Sequence, residues 1–230
     1  MKRGDAMERI GLYALRLEDR AIEAAEGYLS RLSRERQEAL RHYTSPVVRS
    51  RSLLGELLAR ALVAAAGGPP PFSWTICRHE KGKPYSLDSC FFFNWAHSGD
   101  WILCGIGPGA LGVDVERPRR GASLCSVAAR FFRPEEYQAI VDAPEETRGD
   151  LFRRYWTMKE SYLKYTGEGL AGGLHDVDVA ALWAGQGSAA GRNFPLPDGA
   201  MAGIVASPSL LPREVTMISV EELRAGLEDF

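Results

Sequence analysis

Hydrophobic and polar positions along the chain follow two alternating periods. Ile10 to Leu17 reads as a strand, and the charged stretch after it, LEDRAIEAAEGYLSRLSRERQEALRHY, spaces its apolar residues at helical intervals. The most periodic helix runs from about Pro46 to Ala66, where Val47, Leu53, Leu54, Leu57, Leu58, Ala61, Leu62 and Ala65 form one stripe. Gly67-Gly68-Pro69-Pro70-Pro71 ends it, because glycine frees the backbone and proline cannot continue a helix. Strands are predicted at Phe72 to Arg78, Phe91 to His97 and Trp101 to Ile106, separated by KGKP and HSGD turns.

After GPGALG the pattern repeats in outline. A strand is predicted at Gly112 to Glu116, helices at Ser123 to Phe132 and Pro134 to Val141, and a long helix from about Asp150 to Thr166. Strands resume at Val177 to Trp183, Met201 to Ala206 and Val215 to Ser219, while Asp142 to Asp150 and Gly185 to Gly199 read as irregular loops. A long helix followed by short strands thus occurs twice. The expectation is an α+β chain of two related subdomains, residues 1–109 and 110–230, with a ligand cleft between them.

Composition narrows the function classes. A net charge of −2 over 230 residues and a pI near 6.1 give no basic field for nucleic acid. Arg49/Arg51 and Arg117/Arg119/Arg120 remain as local basic clusters. The four cysteines have no CxxC spacing, the N-terminus has no signal-peptide core, and no window approaches the roughly 18 apolar residues of a membrane span. A cytoplasmic, membrane-free protein is expected.

Four segments carry chemistry. GPGALG matches a dinucleotide fingerprint in letters only, since GVDVE after it alternates like a strand where a helix is needed. In GVDVE, Val113 and Val115 face one side and Asp114 and Glu116 the other. Two carboxylates on one strand face repel unless a cation sits between them, and such oxygens suit a hard ion such as Mg²⁺. In WTMKESYLKYT, Trp156, Glu160 and Lys164 share a helix face, which taken alone is a surface ion pair. Lys83 in its Gly/Pro turn and His97 before Ser98-Gly99 sit at strand ends, where loops carry function.

Together, RHYTSPVVRSRSLLGELLAR, GKPYS, FNWAHSGDW, GVDVERP, ARFFRPEEY, WTMKESYLKYTGEGL and TMISVEEL resemble the Sfp-type 4′-phosphopantetheinyl transferase family over nearly the whole chain. The pairing of GVDVE with W-x-x-K-E-S-x-x-K is the specific part.

That resemblance implies two pseudo-twofold-related subdomains, each a small antiparallel sheet on a long helix, acting as a monomer. It implies Mg²⁺-dependent transfer of the phosphopantetheine arm of coenzyme A to a serine of an apo acyl or peptidyl carrier protein, releasing 3′,5′-ADP. By position, Asp114, Glu116 and Glu160 match the metal ligands, and Glu160 and Lys164 the proton-handling residues. Arg51, Lys83, Pro84, His97 and Lys159 match coenzyme A contacts, with Arg36 and Arg41 as further phosphate candidates. Ala96 departs from the family's frequent Ser, removing one hydroxyl. RPRRG beside the metal strand is the expected carrier-docking segment. Another Mg²⁺-dependent nucleotide phosphotransferase or hydrolase, and a non-catalytic carrier-protein or coenzyme A binding module, are the competing readings.

Overall fold

A computed structural model describes residues 7–118, 124–169 and 173–228. Its N-terminal half begins with strand β1 (Gly11–Arg16), followed by helices α1 (Asp19–Gly27), α2 (Arg34–Arg41) and α3 (Pro46–Ala65). Ser45 caps α3 by accepting from the Val48 amide, and Pro46 occupies its first turn, where no amide is needed. A short ribbon of β2 (Cys77–Arg78) and β3 (Pro84–Tyr85) precedes β4 (Phe92–Ser98) and β5 (Trp101–Gly107).

The second half contains β6 (Leu111–Glu116), α4 (Leu124–Phe131), α5 (Pro134–Asp142), α6 (Glu145–Thr166), α7 (Val179–Ala184), β7 (Ala190–Pro195) and β8 (Met201–Ala206). Strand β9 (Thr216–Ile218) and helix α8 (Val220–Glu228) close the chain.

Two sheets result, ordered β4-β5-β1-β9 and β6-β8-β7. Alternation along each strand builds four layers. Tyr13, Leu15, Ile102, Cys104 and Ile106 pack with α3 residues Leu53, Leu54, Leu57 and Leu58. Their neighbours Leu12, Ala14 and Leu103 turn the other way, onto Val113, Val115, Ala202 and Ile204 of the second sheet. Helix α6 covers the remaining face. It can do so closely because Gly112 and Gly203 lack side chains: a Cβ on Gly112 would stand 2.1 Å from the Ser161 carbonyl oxygen, and one on Gly203 2.8 Å from Thr157 Cβ.

Several expectations change. The first sheet is mixed, since β9 runs parallel to β1 while β4 and β5 are antiparallel. β9 joins that sheet and Leu223 and Leu227 of α8 enter its core, so the last segment crosses back from the second half. Val177 to Trp183 is not a strand: Asp178 accepts from the Ala181 amide and starts α7, whose Val179 and Leu182 are buried at helical spacing. Of Phe72 to Arg78 only Cys77–Arg78 pairs as a strand, α6 starts earlier at Glu145, and the Gly185 to Gly199 stretch contains β7. Ser123, expected to start a helix, lies outside the described residues. No helix among the described residues is long and apolar enough to cross a membrane.

Candidate active site

The site grows out of β6. Val113 and Val115 fill the layer between the sheets, which turns Asp114 and Glu116 toward α6, each only 7% exposed. Gly112 lets α6 come close, and the helix presents Glu160 and Lys164 one turn apart on the facing side. Lys164 Nζ donates to Asp114 Oδ1 at 2.6 Å.

Electrostatics ties the four groups together. Burial pushes the Asp114 carboxyl up to about 7, opposed by the charge of Lys164 and reinforced by Glu160 and Glu116. Glu160 is raised for the same reasons, burial first, with Lys164 opposing and Glu116 adding. Asp114 Oδ2 is buried with no hydrogen-bond partner among the described residues. Such an orphaned oxygen beside two more carboxylates calls for a cation, and an all-oxygen donor set suits a hard divalent ion that keeps waters. The acids fit Mg²⁺ in chemistry. They do not form a closed cage: no three acidic, His or Cys side chains among the described residues already converge on one point, and the Lys164 ammonium takes the counter-ion's place at Oδ1.

Opposite Glu160 and Lys164 stands the β2–β3 ribbon. A cleft of about 410 Å³ lies between them, lined by Lys83, Pro84, Asn94, Trp95, Glu160 and Lys164 among others. Lys83 donates to the Tyr165 carbonyl oxygen at 2.9 Å, joining the turn to the end of α6, and burial lowers its ammonium to about 8. An adjoining pocket of about 610 Å³ shares Arg78 and Trp95 with the cleft and adds Arg36, Tyr43, Ser52 and His97. Solvent reaches His97, yet the surrounding protein removes enough water to lower its imidazole, and the charges of Arg51 and Lys164 act in the same direction. A larger cavity of about 720 Å³, on the Phe91, Phe92 and Phe93 side of the Lys83–Pro84 turn, contains none of the acids.

A family model described as the 4′-phosphopantetheinyl transferase superfamily matches residues 110–200, the span that holds all three acids and Lys164. A 4′-phosphopantetheinyl transferase of Bacillus subtilis is 33% identical over 185 residues, covering 79% of each chain. The 4′-phosphopantetheinyl transferase Sfp of B. subtilis strain 168 is 30% identical over 216 residues, covering 87% of this chain and 93% of its own. The chain belongs to this family. A third phosphopantetheinyl transferase, psf-1 of Bacillus pumilus, is 30% identical over 182 residues, 79% of this chain and 75% of its own.

Within this phosphopantetheinyl transferase, the residues singled out from sequence divide by place. Glu160, Lys164, Lys83 and Pro84 line the cleft, Asp114 stands behind it on its bond to Lys164, Glu116 acts on Asp114 and Glu160 by its charge, and His97 lines the adjoining pocket. Arg51 is near enough to His97 to shift it, and its Nε is buried without a partner among the described residues. Arg36 lines the adjoining pocket, whereas Arg41 is exposed and paired with Glu38 at 2.8 Å. Ala96 is buried in the layer between the sheets, so a serine there would place its hydroxyl among apolar side chains. Arg119 and Arg120 of the expected docking segment lie outside the described residues.

Lys159 requires a correction. Expected on coenzyme A, it is fully buried on another side of α6, donating to Glu136 Oε2 at 2.7 Å, to the Leu174 carbonyl at 2.9 Å and to the Val177 carbonyl at 2.8 Å. An ammonium has three protons, and all three are used. Glu136 also accepts from the Arg133 amide, making the pair a junction of α5, α6 and the segment before α7.

Sequence reasoning missed Asn94, Trp95 and Arg78. Buried Asn94 accepts from the Val113 amide at 2.9 Å and so ties β4 to the acid-bearing strand. The Arg78 guanidinium lies 5.6 Å from the Trp95 ring centre and donates to the Gly82 carbonyl. Arg78 pairs with Pro84 in the ribbon, so reading CRHEKGKPY as a hairpin would have found it.

Proposed function

We propose that this phosphopantetheinyl transferase moves the 4′-phosphopantetheine arm of coenzyme A onto a serine hydroxyl of an apo acyl or peptidyl carrier protein, with Mg²⁺ at the acids. The observation that carries the reading is that Lys164, bonded to Asp114, and Glu160, coupled by charge to Asp114 and Glu116, line a cleft whose other wall supplies Lys83 and Arg78.

In this reading the serine oxygen forms a bond to the phosphorus that carries the pantetheine arm, the bridging P–O bond of the diphosphate breaks, and 3′,5′-ADP leaves. Asp114, Glu116 and Glu160 would hold Mg²⁺, which when bound supplies positive charge against the diphosphate. Lys164 and Lys83 offset the remaining charge, and Arg36, Arg78 and His97 face the nucleotide end. Such transfer depends on positioning and charge neutralisation more than on covalent help. Glu160, poised upward by burial, takes the serine proton directly or through a water. Both walls of the cleft come from one chain, which supports action as a monomer. The free thiols support a reducing, cytoplasmic setting.

Intact-mass measurement of an apo carrier protein incubated with coenzyme A and Mg²⁺ tests this. The expected result is gain of one phosphopantetheine together with 3′,5′-ADP release. Release without gain in mass marks a hydrolase, and neither change marks a binding module.

A further inference from the structure

Asn94 has two polar ends, and contacts within the chain use one of them. Strand β6 is at the end of its sheet, ordered β6-β8-β7, so alternate amides along its outer edge have no strand to pair with. Side chains of β4 supply acceptors instead. Asn94 Oδ1 accepts from the Val113 amide at 2.9 Å, and Ser98 Oγ accepts from the Arg117 amide, just past the strand, at 3.3 Å. Positions 94 and 98 share a face of β4, since every second side chain of a strand points the same way. Gly105, which faces Asn94 across the β4–β5 ladder, keeps the approach open: a Cβ there would stand 2.4 Å from Leu111 Cδ1 and 3.0 Å from Val113 Cγ1.

The Val113 bond fixes which way the side-chain amide points. A backbone N–H can only donate, so the atom that meets it is the oxygen, and Nδ2 with its two protons is turned the other way. Nδ2 donates to no described residue, although Asn94 is only 3% exposed. It is not sealed in as Asp114 Oδ2 is, so it opens onto the cleft of about 410 Å³ that Asn94 lines together with Lys83, Glu160 and Lys164. The adjoining pocket with Arg36 and His97, assigned above to the nucleotide end, does not include Asn94. A nearly buried donor beside two ammonium groups needs acceptor oxygens from outside the chain, and it gains most where those oxygens carry charge. An N–H cannot bind a cation, so a metal ion does not satisfy it.

We propose that Asn94 is a substrate-binding residue with two tasks: Oδ1 holds the acid-bearing strand, and Nδ2 donates to a nonbridging oxygen of the phosphoryl group that carries the pantetheine arm. The proposal rests on the transferase reading above. One side chain then sets the distance between the acid strand and the phosphorus under attack. Two variants separate the tasks. Asn94→Asp keeps an oxygen for the Val113 amide but loses the donor, and Asn94→Leu loses both. Each full-length variant is titrated by calorimetry with coenzyme A and with 3′,5′-ADP, which lacks the transferred phosphoryl group. Mg²⁺ is present, at about pH 8, well above the usual carboxylate range. Both variants should bind coenzyme A roughly 10- to 100-fold more weakly, the value of a hydrogen bond to a charged group, with a much smaller loss for 3′,5′-ADP. Chemical denaturation should show Asn94→Leu destabilised and Asn94→Asp closer to the unaltered protein, since only the leucine strands the Val113 amide. Unchanged coenzyme A affinity in Asn94→Asp, or an equal loss for both ligands, overturns the proposal and leaves Asn94 a strand clamp alone. An unaltered protein that does not bind coenzyme A overturns the transferase reading together with it, so the two failures are told apart.

Discussion

Lys164 Nζ and Asp114 Oδ1 meet at 2.6 Å across the α6–β6 contact, while the second oxygen of the same carboxylate is buried with no hydrogen-bond partner among the described residues. The ammonium satisfies half of a group that burial is driving toward its neutral form. The other half is available to a metal ion, and a proton competes for the same lone pairs.

Metal affinity should therefore depend on pH in the neutral range. Asp114 is held up at about 7, so below that value it carries a proton and offers no charged oxygen, and above it the carboxylate forms. Mg²⁺ binding by calorimetry should strengthen as pH rises through 7 and level off above. Asp114→Asn should flatten that dependence and cut kcat by roughly 10²–10³, the scale of losing one preorganised electrostatic contact. Chelation of divalent ions should silence the unaltered protein in the same assay. A pH-independent Mg²⁺ affinity would remove Asp114 from the metal set.

Lys83 gives a second pH signature with the opposite sense. Burial lowers its ammonium to about 8, so above that pH the free protein loses a positive charge from the cleft wall. Because kcat/KM reports groups of the free enzyme, kcat/KM for coenzyme A should fall as pH rises past about 8. Lys83→Arg, which stays charged, should move that limb to higher pH, and Lys83→Ala should raise KM for coenzyme A across the range. An alkaline limb unchanged in Lys83→Arg would assign it to another group.

The acids were legible because strand alternation is a local rule: once GVDVE is a strand, Asp114 and Glu116 must share a face, and their burial against α6 follows from Gly112. The helix repeat likewise put Glu160 and Lys164 one turn apart. Periodicity does not say which side of a helix meets the ligand, and that is where Lys159 was misplaced; next to Glu160 in sequence, it projects toward α5. VDVAALW fits both periods, and only the Asp178 cap and the packing of Val179 and Leu182 decide for helix. The return of β9 to β1 is a long-range pairing with no local signature.

That burial gives Lys159 a distinguishable behaviour. Lys159→Met leaves Glu136 charged and unpaired in the interior, which should cost about 3–5 kcal/mol by chemical denaturation. Adding Glu136→Gln removes the stranded charge while keeping an oxygen for the Arg133 amide, so part of the loss should return. KM for coenzyme A should change little in whatever fraction remains folded. A stable Lys159→Met protein with a raised KM for coenzyme A would restore the residue to the ligand.

The proton of the carrier serine must go to a group near the acids, and the geometry favours Glu160 over Lys164. Lys164 is an ammonium donating to Asp114, and in that state it has no lone pair with which to accept a proton. Glu160 is raised by burial and by Glu116, so its carboxylate is a stronger base than one in water. Glu160→Gln keeps the shape but removes charge and basicity, and kcat should fall by about 10²–10⁴ at saturating Mg²⁺ and coenzyme A. Weakened metal binding would mimic this, so Mn²⁺ affinity of the same variant, read by paramagnetic resonance, separates the two losses. Lys164→Ala should be milder in kcat and should further raise Asp114, since the opposing charge is gone; its Mg²⁺ dependence should shift to higher pH. An acidic limb of the single-turnover rate that survives in Glu160→Gln but vanishes in Lys164→Ala would make the lysine the base, with Asp114 as the residue that orients it.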